Sequence, residues 1–173
     1  MLADVVAPAA YAPKGGPLAT DLWRYKSGRP EAKQAGTALL ALLLVFLHDH
    51  GPRIWQRAGL AAPTHACVVP SGRGRLGPHP LQALVSGYLA LPWVTLQARA
   101  GCGPLARDLD PERFEAPRPV TGAAVLLLDD TWTSGGTMQS AAVALKRAGA
   151  RSVAAVVLGR HVESGALVRP PAQ

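Results

Sequence analysis

The amino-acid sequence predicts an α/β fold in three layers, with helices on both faces of a mainly parallel central sheet. Three observations predict it. The apolar 49% of the 173 residues is mostly Ala, Leu and Val with only 5% aromatics, a mixture suited to helices packed on a buried sheet. Residues 64–96 read as strand, loop, helix and strand, the order of a βαβ unit. Residues 123–128 form an unbroken apolar run suited to a strand covered on both faces, and a helix pattern and a second such run, 152–158, follow it.

Taken in chain order, residues 1–19 contain three prolines and the pair Gly15-Gly16, which predicts an irregular lead-in. The organised domain is expected over 20–162. From Pro30 a helix is predicted through His50: Pro suits its first turn, Ala and Leu favour it, and Gly51-Pro52 stops it. Its nearly all-round apolar middle predicts deep burial, and His48 and His50 are placed near its last carbonyls. Thr64 to Val69 is a β-branched strand ended by Pro70 and the small basic loop Ser71-Gly72-Arg73-Gly74-Arg75. Leu81, Leu84, Val85 and Leu89 carry helical spacing from Pro80, and Trp93 to Leu96 supplies the next strand.

Residues 98–119 are polar, Arg-rich and broken by Gly and Pro, too long for a routine connection, and are expected to be a flexible lid. After the strand 123–128 comes a helix to about Ala148, capped by Gly149. The tail from 163 to 173 ends in Arg169-Pro170-Pro171 and is expected to be disordered. No internal repeat is present.

Charge and cysteine usage narrow the function. Eighteen Lys and Arg against 11 Asp and Glu give a net charge of +7. The bases are mostly arginine, the side chain shaped for bidentate contact with phosphate or pyrophosphate, and they are scattered. Nucleic-acid binding is possible on that charge but not favoured, because no dense basic block is present. Cys67 and Cys102 lie far apart with no C-x-x-C pair, which argues against a zinc knuckle or a disulfide framework. The apolar stretch Ala38 to Leu47 is about half of what a membrane span needs, and Met1 to Ala10 lacks the pattern of a secretory leader. The expected address is cytoplasmic, without a membrane partner.

The chemistry is concentrated in Val125-Leu126-Leu127-Leu128-Asp129-Asp130-Thr131-Trp132-Thr133-Ser134-Gly135-Gly136-Thr137. A buried strand delivers two carboxylates at its C-terminal end, where open parallel sheets bind ligands and where carboxylates can accept hydrogen bonds from ribose hydroxyls. The hydroxyls and backbone N–H groups of Thr133 to Thr137 then meet a helix N-terminus, whose partial positive charge favours a phosphate monoester. A ribose 5-phosphate satisfies both halves.

This segment resembles the phosphoribosyl pyrophosphate (PRPP) signature of type I phosphoribosyltransferases: four apolar residues, two acids, then a Thr/Ser/Gly loop. The resemblance implies the Rossmann-like phosphoribosyltransferase fold. It casts Asp129 and Asp130 on the ribose 2- and 3-hydroxyls, and Thr133, Ser134, Gly135, Gly136 and Thr137 around the 5-phosphate. It also implies a magnesium ion bridging pyrophosphate and ribose, with no direct protein ligand to the metal expected. Tyr11, Leu22, Tyr25-Lys26-Ser27-Gly28 and the strand end Val68-Val69-Pro70 are similar to the competence protein F branch, over most of 11–160. In that branch the loop after the first core strand binds pyrophosphate, which assigns Ser71, Gly72, Arg73, Gly74 and Arg75 that role. Lys26 has a claim to the site through this resemblance alone.

Two departures qualify the assignment. The four-cysteine zinc module of many competence protein F relatives is absent, and Leu76 to Gln82 stands where they carry Arg-Gly-Phe-Asn-Gln. Purine-salvage relatives open the phosphate loop with an Asp that serves the purine as acid or base, whereas this chain has Thr133. The expected catalytic set is therefore Asp129, Asp130 and Thr133, acting on PRPP and a small nitrogenous acceptor, with Arg160 and His161 as candidates for the acceptor pocket. A PRPP sensor or DNA-uptake accessory protein without turnover is the alternative. His79 reads first as a capping residue and Trp132 as packing. A receiver-type phosphoacceptor would need a separate acceptor Asp and a late Lys, for which only Lys146 offers itself. A homodimer is compatible with this reading.

Overall fold

The computed structural model describes residues 1–71, 78–99 and 108–163. Five parallel strands form the central sheet in the order β1-β7-β6-β2-β3. They are β1 (Val5–Pro13), β2 (His65–Val68), β3 (Trp93–Val94), β6 (Ala124–Trp132) and β7 (Ser152–Val162). A two-stranded antiparallel ribbon, β4 (Gln97–Ala98) with β5 (Phe114–Glu115), stands apart from the sheet.

The alternation of side chains along β6 and β7 builds two cores. Ala124, Leu126 and Leu128, with Ala154, Val156 and Leu158, point to one face. There they meet Leu22 of α1 (Pro17–Arg24), Leu39, Leu43 and Ile54 of α2 (Glu31–Arg57), and Leu81 and Val85 of α3 (Pro80–Val85). Val125 and Leu127, with Val153, Ala155 and Val157, point to the other face. They pack against Met138, Ala141, Ala142 and Leu145 of α4 (Gly136–Arg147) and against Phe114 of β5. The three layers expected from composition are present, and the apolar runs at 123–128 and 152–158 are the central strands because both their faces are covered.

Residues 1–19 are not an irregular lead-in. Val5–Pro13 pairs in parallel with β7 along its length, and Pro17 opens α1. The prolines are accommodated: β1 is an edge strand, where a missing N–H costs no ladder bond, and a proline at the start of a helix forfeits only an N–H that has no intrahelical partner. Helix α1 sits close on the sheet because Gly159 has no side chain; a Cβ there would run into Leu22 Cδ1 and come within 3.2 Å of Ala12 Cβ.

Helix α2 does not stop at Gly51-Pro52 but runs through Pro52 to Arg57. A proline clashes with the Cβ of the residue before it in a helix, and Gly51 has none. Continuing the helix buries Ile54. His48 and His50 therefore lie within the helix, where the His50 ring stands 5.0 Å from that of Phe46. The helix is long and apolar enough to cross a membrane by length and composition, yet it is not buried all round. Ala35, Gly36, Leu39 and Leu43 form its inner stripe while Val45 is 60% exposed, because α2 is an outer layer.

The expectation of an unpacked lid at 98–119 does not hold for its described parts, 98–99 and 108–119. Phe114 is buried in the second core, and Asp110 N donates to Ser140 Oγ on α4 at 2.9 Å. Glu112 takes ion pairs from Arg99 and from Arg147 of α4, each at 2.6 Å. Arg113 is also buried, and its backbone accepts from Arg99 N. Residues 100–107 of the expected lid and the tail from 164 lie outside the described residues.

Candidate functional site at the sheet switch point

The strand order reverses direction between β2 and β6. From β2 the chain passes through α3 to β3 on one side; from β6 it passes through α4 to β7 on the other. The two connections cover opposite faces of the sheet, so a crevice opens where they part, at the C-terminal ends of β2 and β6. β2 stays in register with β6 only as far as Val68↔Leu128, followed by one more bond from Val69 N to Leu128 O. Beyond that point β6 runs on beside β7 alone, through Asp129↔Val157, Thr131↔Gly159 and Trp132↔Arg160. Asp129 and Asp130 therefore lie within the strand, at the rim left by β2, and Ser71 follows β2 three residues past its end.

Adjacent strand residues point to opposite faces, and the acids obey that rule. Asp130 follows Leu126 and Leu128 toward the helices α1, α2 and α3. Its Oδ2 accepts from the Tyr25 hydroxyl at 2.5 Å and pairs with Lys26 Nζ at 2.5 Å. Asp129 follows Val125 and Leu127 toward α4, where it is partly accessible and its Oδ1 accepts from Asp130 N at 2.8 Å. Their charge states separate accordingly. Burial and the neighbouring Asp130 charge push the Asp129 carboxyl above the usual range, only partly offset by the backbone N–H groups of Asp130 and Thr131 and by Lys26. Burial pushes Asp130 the same way, but Lys26, the Tyr25 hydroxyl and His79 outweigh it and hold Asp130 below the ordinary value.

The residues of the expected phosphate loop follow directly. Thr133 and Ser134 are exposed, Gly135 is the residue before α4 with φ of 87°, and Gly136 and Thr137 begin the helix. No side chain caps that helix, so its first backbone N–H groups are donors available to an anion. Gly135 is required twice over: its backbone is left-handed, and a Cβ would come within 2.6 Å of the Trp132 indole nitrogen. Trp132 packs against the second core and carries the Arg160 guanidinium 5.1 Å above its ring.

Arg160 is thus joined to the site through Trp132. His161 is turned the other way, with Nδ1 3.3 Å from the Ala12 carbonyl oxygen on β1. His79 is a capping residue as its sequence context suggested, accepting from Leu81 N at 3.1 Å. Gly72, Arg73, Gly74 and Arg75 of the expected pyrophosphate loop lie outside the described residues. Tyr25 and Lys26 are the contacts of Asp130 that sequence reasoning undervalued: no spacing links them to Asp130, 105 and 104 positions away, and only family resemblance drew attention to the segment.

Among the described residues no group of three or more His, Cys, Asp or Glu side chains is placed to hold a metal ion. Two acids at the rim, one already paired with Lys26, suit a magnesium ion that arrives held by a ligand's own oxygens. Cys67 is buried within β2, which pushes its thiol up to about 12 and leaves it a packing residue. The fold and site together define an α/β protein whose parallel sheet presents an acidic pair and an uncapped helix N-terminus at its switch point. No protein-family model and no curated protein match the chain. Among solved structures it is similar to the purine phosphoribosyltransferase of Pyrococcus horikoshii OT3, at 13% identity and a TM-score of 0.43, over 83% of this chain and 94% of that one. It is also similar to the adenine phosphoribosyltransferase of Leishmania tarentolae, at 15% identity and a TM-score of 0.45, over 92% of this chain and 93% of that one.

Proposed function

We propose that this protein binds PRPP with magnesium at the switch-point crevice and displaces its pyrophosphate with a nitrogenous acceptor. The observation that carries the reading is the meeting, within one short segment, of two acids at a sheet rim and an uncapped helix N-terminus beyond Gly135. The first matches a ribose diol and the second a 5-phosphate, in the order a ribose 5-phosphate requires. The backbone N–H groups of α4 and the hydroxyls of Thr133, Ser134 and Thr137 hold the phosphate, while Asp129 and Asp130 take the ribose hydroxyls. Ser71, with Gly72 to Arg75 after it in sequence, is the segment assigned to the pyrophosphate. Magnesium supplies charge neutralisation of the pyrophosphate when it enters with the ligand.

The displacement passes through a transition state of oxocarbenium character, for which the Asp130 carboxylate is the negative charge at the ribose, while the positive end of the α4 dipole serves the 5-phosphate. Thr133 cannot serve an acceptor nitrogen as a carboxylate base, so the acceptor is not a standard purine; an amine or an anionic base needs no such group. Arg160, held over Trp132, offers a cation to an anionic acceptor. This chemistry is compatible with a cytoplasmic protein and with a homodimer.

Titration calorimetry with magnesium-PRPP tests binding, and incubation with bases, amines and ammonia while following pyrophosphate tests transfer. Saturable binding with release on a non-purine acceptor is expected. Absence of binding at millimolar ligand refutes the proposal, purine-dependent release refutes the acceptor class, and binding without any release assigns the protein a PRPP-sensing role instead.

A further inference from the structure

Two residues act on the rim from outside the strand that carries it. Tyr25 closes α1 and Lys26 follows it in the turn to α2. Both reach the same oxygen of Asp130, whose side chain is only 6% exposed, while the Lys26 side chain is 34% exposed and extends inward from solvent. An anion so enclosed needs a partner of opposite charge and hydrogen bonds to satisfy its lone pairs. The groups acting on it from each side are Tyr25 and Lys26 from the α1–α2 turn, His79 from the segment before α3, and Asp129 beside it on β6. Among the described residues, Asp129 is the like charge beside it. Two donors on Oδ2 also restrict rotation of the carboxylate, which a single contact would not do.

We propose that Tyr25 and Lys26 are positioning residues that hold Asp130 as a fixed anion at the crevice, so that its Oδ1 accepts a hydrogen bond from a ligand hydroxyl. The inference rests on the PRPP reading of the same site. It makes the α1–α2 turn part of the binding machinery, although that turn belongs to no strand of the sheet. The adjoining acids are thereby given unlike roles, Asp130 an anion of set orientation and Asp129 the more accessible group beside the phosphate loop.

The test is carried out first without ligand, by following the side-chain carboxyl carbon of Asp130 by NMR across pH. Lys26→Met should raise the Asp130 midpoint by about one pH unit or more, Tyr25→Phe should raise it less, and Lys26→Arg should return most of the shift. With magnesium-PRPP, Lys26→Met should weaken binding about tenfold at neutral pH and move the acid limb of binding to higher pH, with Lys26→Arg restoring both in part. A purely structural role would lower the melting temperature without moving either titration, and that result overturns the proposal. Should Lys26→Met fail to fold, an unchanged Asp130 midpoint in Tyr25→Phe overturns it equally. Failure of the unsubstituted protein to bind PRPP would refute the proposed function, whereas the ligand-free titration judges the positioning of Asp130 by itself.

Discussion

Replacing Gly135 by Ala is the sharpest probe of the phosphate loop, because two separable costs meet at one atom. The first is conformational: at φ of 87° a residue with a Cβ is strained by about 1–2 kcal/mol. The second is steric, since the new methyl would lie 2.6 Å from Trp132 Nε1. The indole must shift, and with it the Arg160 guanidinium stacked above it, a contact worth about 0.5–1 kcal/mol in an exposed setting. Together these predict a loss of about 1.5–3 kcal/mol, or about 3–12 °C in melting temperature for a domain of this size. Gly59 provides the control, with φ of 69° and nothing within 4 Å of an added Cβ, so Gly59→Ala carries the backbone cost alone. Differential scanning calorimetry on both variants isolates the Trp132 contribution. Equal melting temperatures would refute the claim that Trp132 closes over Gly135. In Gly135→Ala, the stabilisation by saturating magnesium-PRPP, about 2.7 kcal/mol at a hundredfold excess over Kd, should also be lost.

The two acids should respond to pH with opposite sign. Asp129, raised in the folded state by burial and by Asp130, contributes stability below the ordinary carboxylate range that is lost as pH rises through its folded value. Asp129→Asn should therefore melt above the unsubstituted protein at pH 8 to 9, and a lower melting temperature there counts against the assignment. Asp130, lowered because Lys26, Tyr25 and His79 outweigh its burial, contributes stability above the ordinary carboxylate value that is lost as pH falls through its folded value. Asp130→Asn should melt below the unsubstituted protein at neutral pH, by an amount that shrinks in acid; a constant difference across pH would contradict it. Phe114, 2% exposed, anchors the segment 108–119, so Phe114→Ala should cost about 3–5 kcal/mol and open that segment to protease. The unsubstituted protein should resist cleavage there without ligand, and equal cutting of the two proteins would show that the segment is not docked.

The layers of the fold were legible because their signals are local. Unbroken apolar runs at 123–128 and 152–158 can be buried only in the middle of a sheet, and the helix before Gly149 carries its own periodicity and cap. Prolines misled in two places where context removes their cost. On β1 an edge position makes the missing N–H harmless, and before Pro52 the absence of a Cβ on Gly51 lets α2 continue. The docking of 108–119 was hidden for a different reason: Phe114 is the one aromatic residue in a polar, proline-broken stretch, and its burial depends on α4, which comes later in the chain. In the site, the acid pair and the glycine loop announce themselves as one contiguous motif, whereas the Tyr25 and Lys26 contacts with Asp130 arise only from folding.

The register of β6 explains why one motif yields two unlike acids. A strand that ended at Leu128 would release both carboxylates into solvent, where their separation by a single residue would mean little. Here β7 continues past Leu128 and keeps β6 extended through Trp132, so the pleat sends Asp129 toward α4 and Asp130 toward α1 and α3. Like charges this near cannot both be ionised cheaply in a buried setting, and the donor on one face decides which acid keeps its charge. Because Lys26 and Tyr25 lie on Asp130's face, the anion is placed across the sheet from the α4 N-terminus, and the accessible Asp129 remains on the α4 side. A ribose spanning the rim would then meet one firm acceptor and one carboxyl able to exchange its proton. That asymmetry comes from strand pairing, since in sequence the two residues are identical and adjacent.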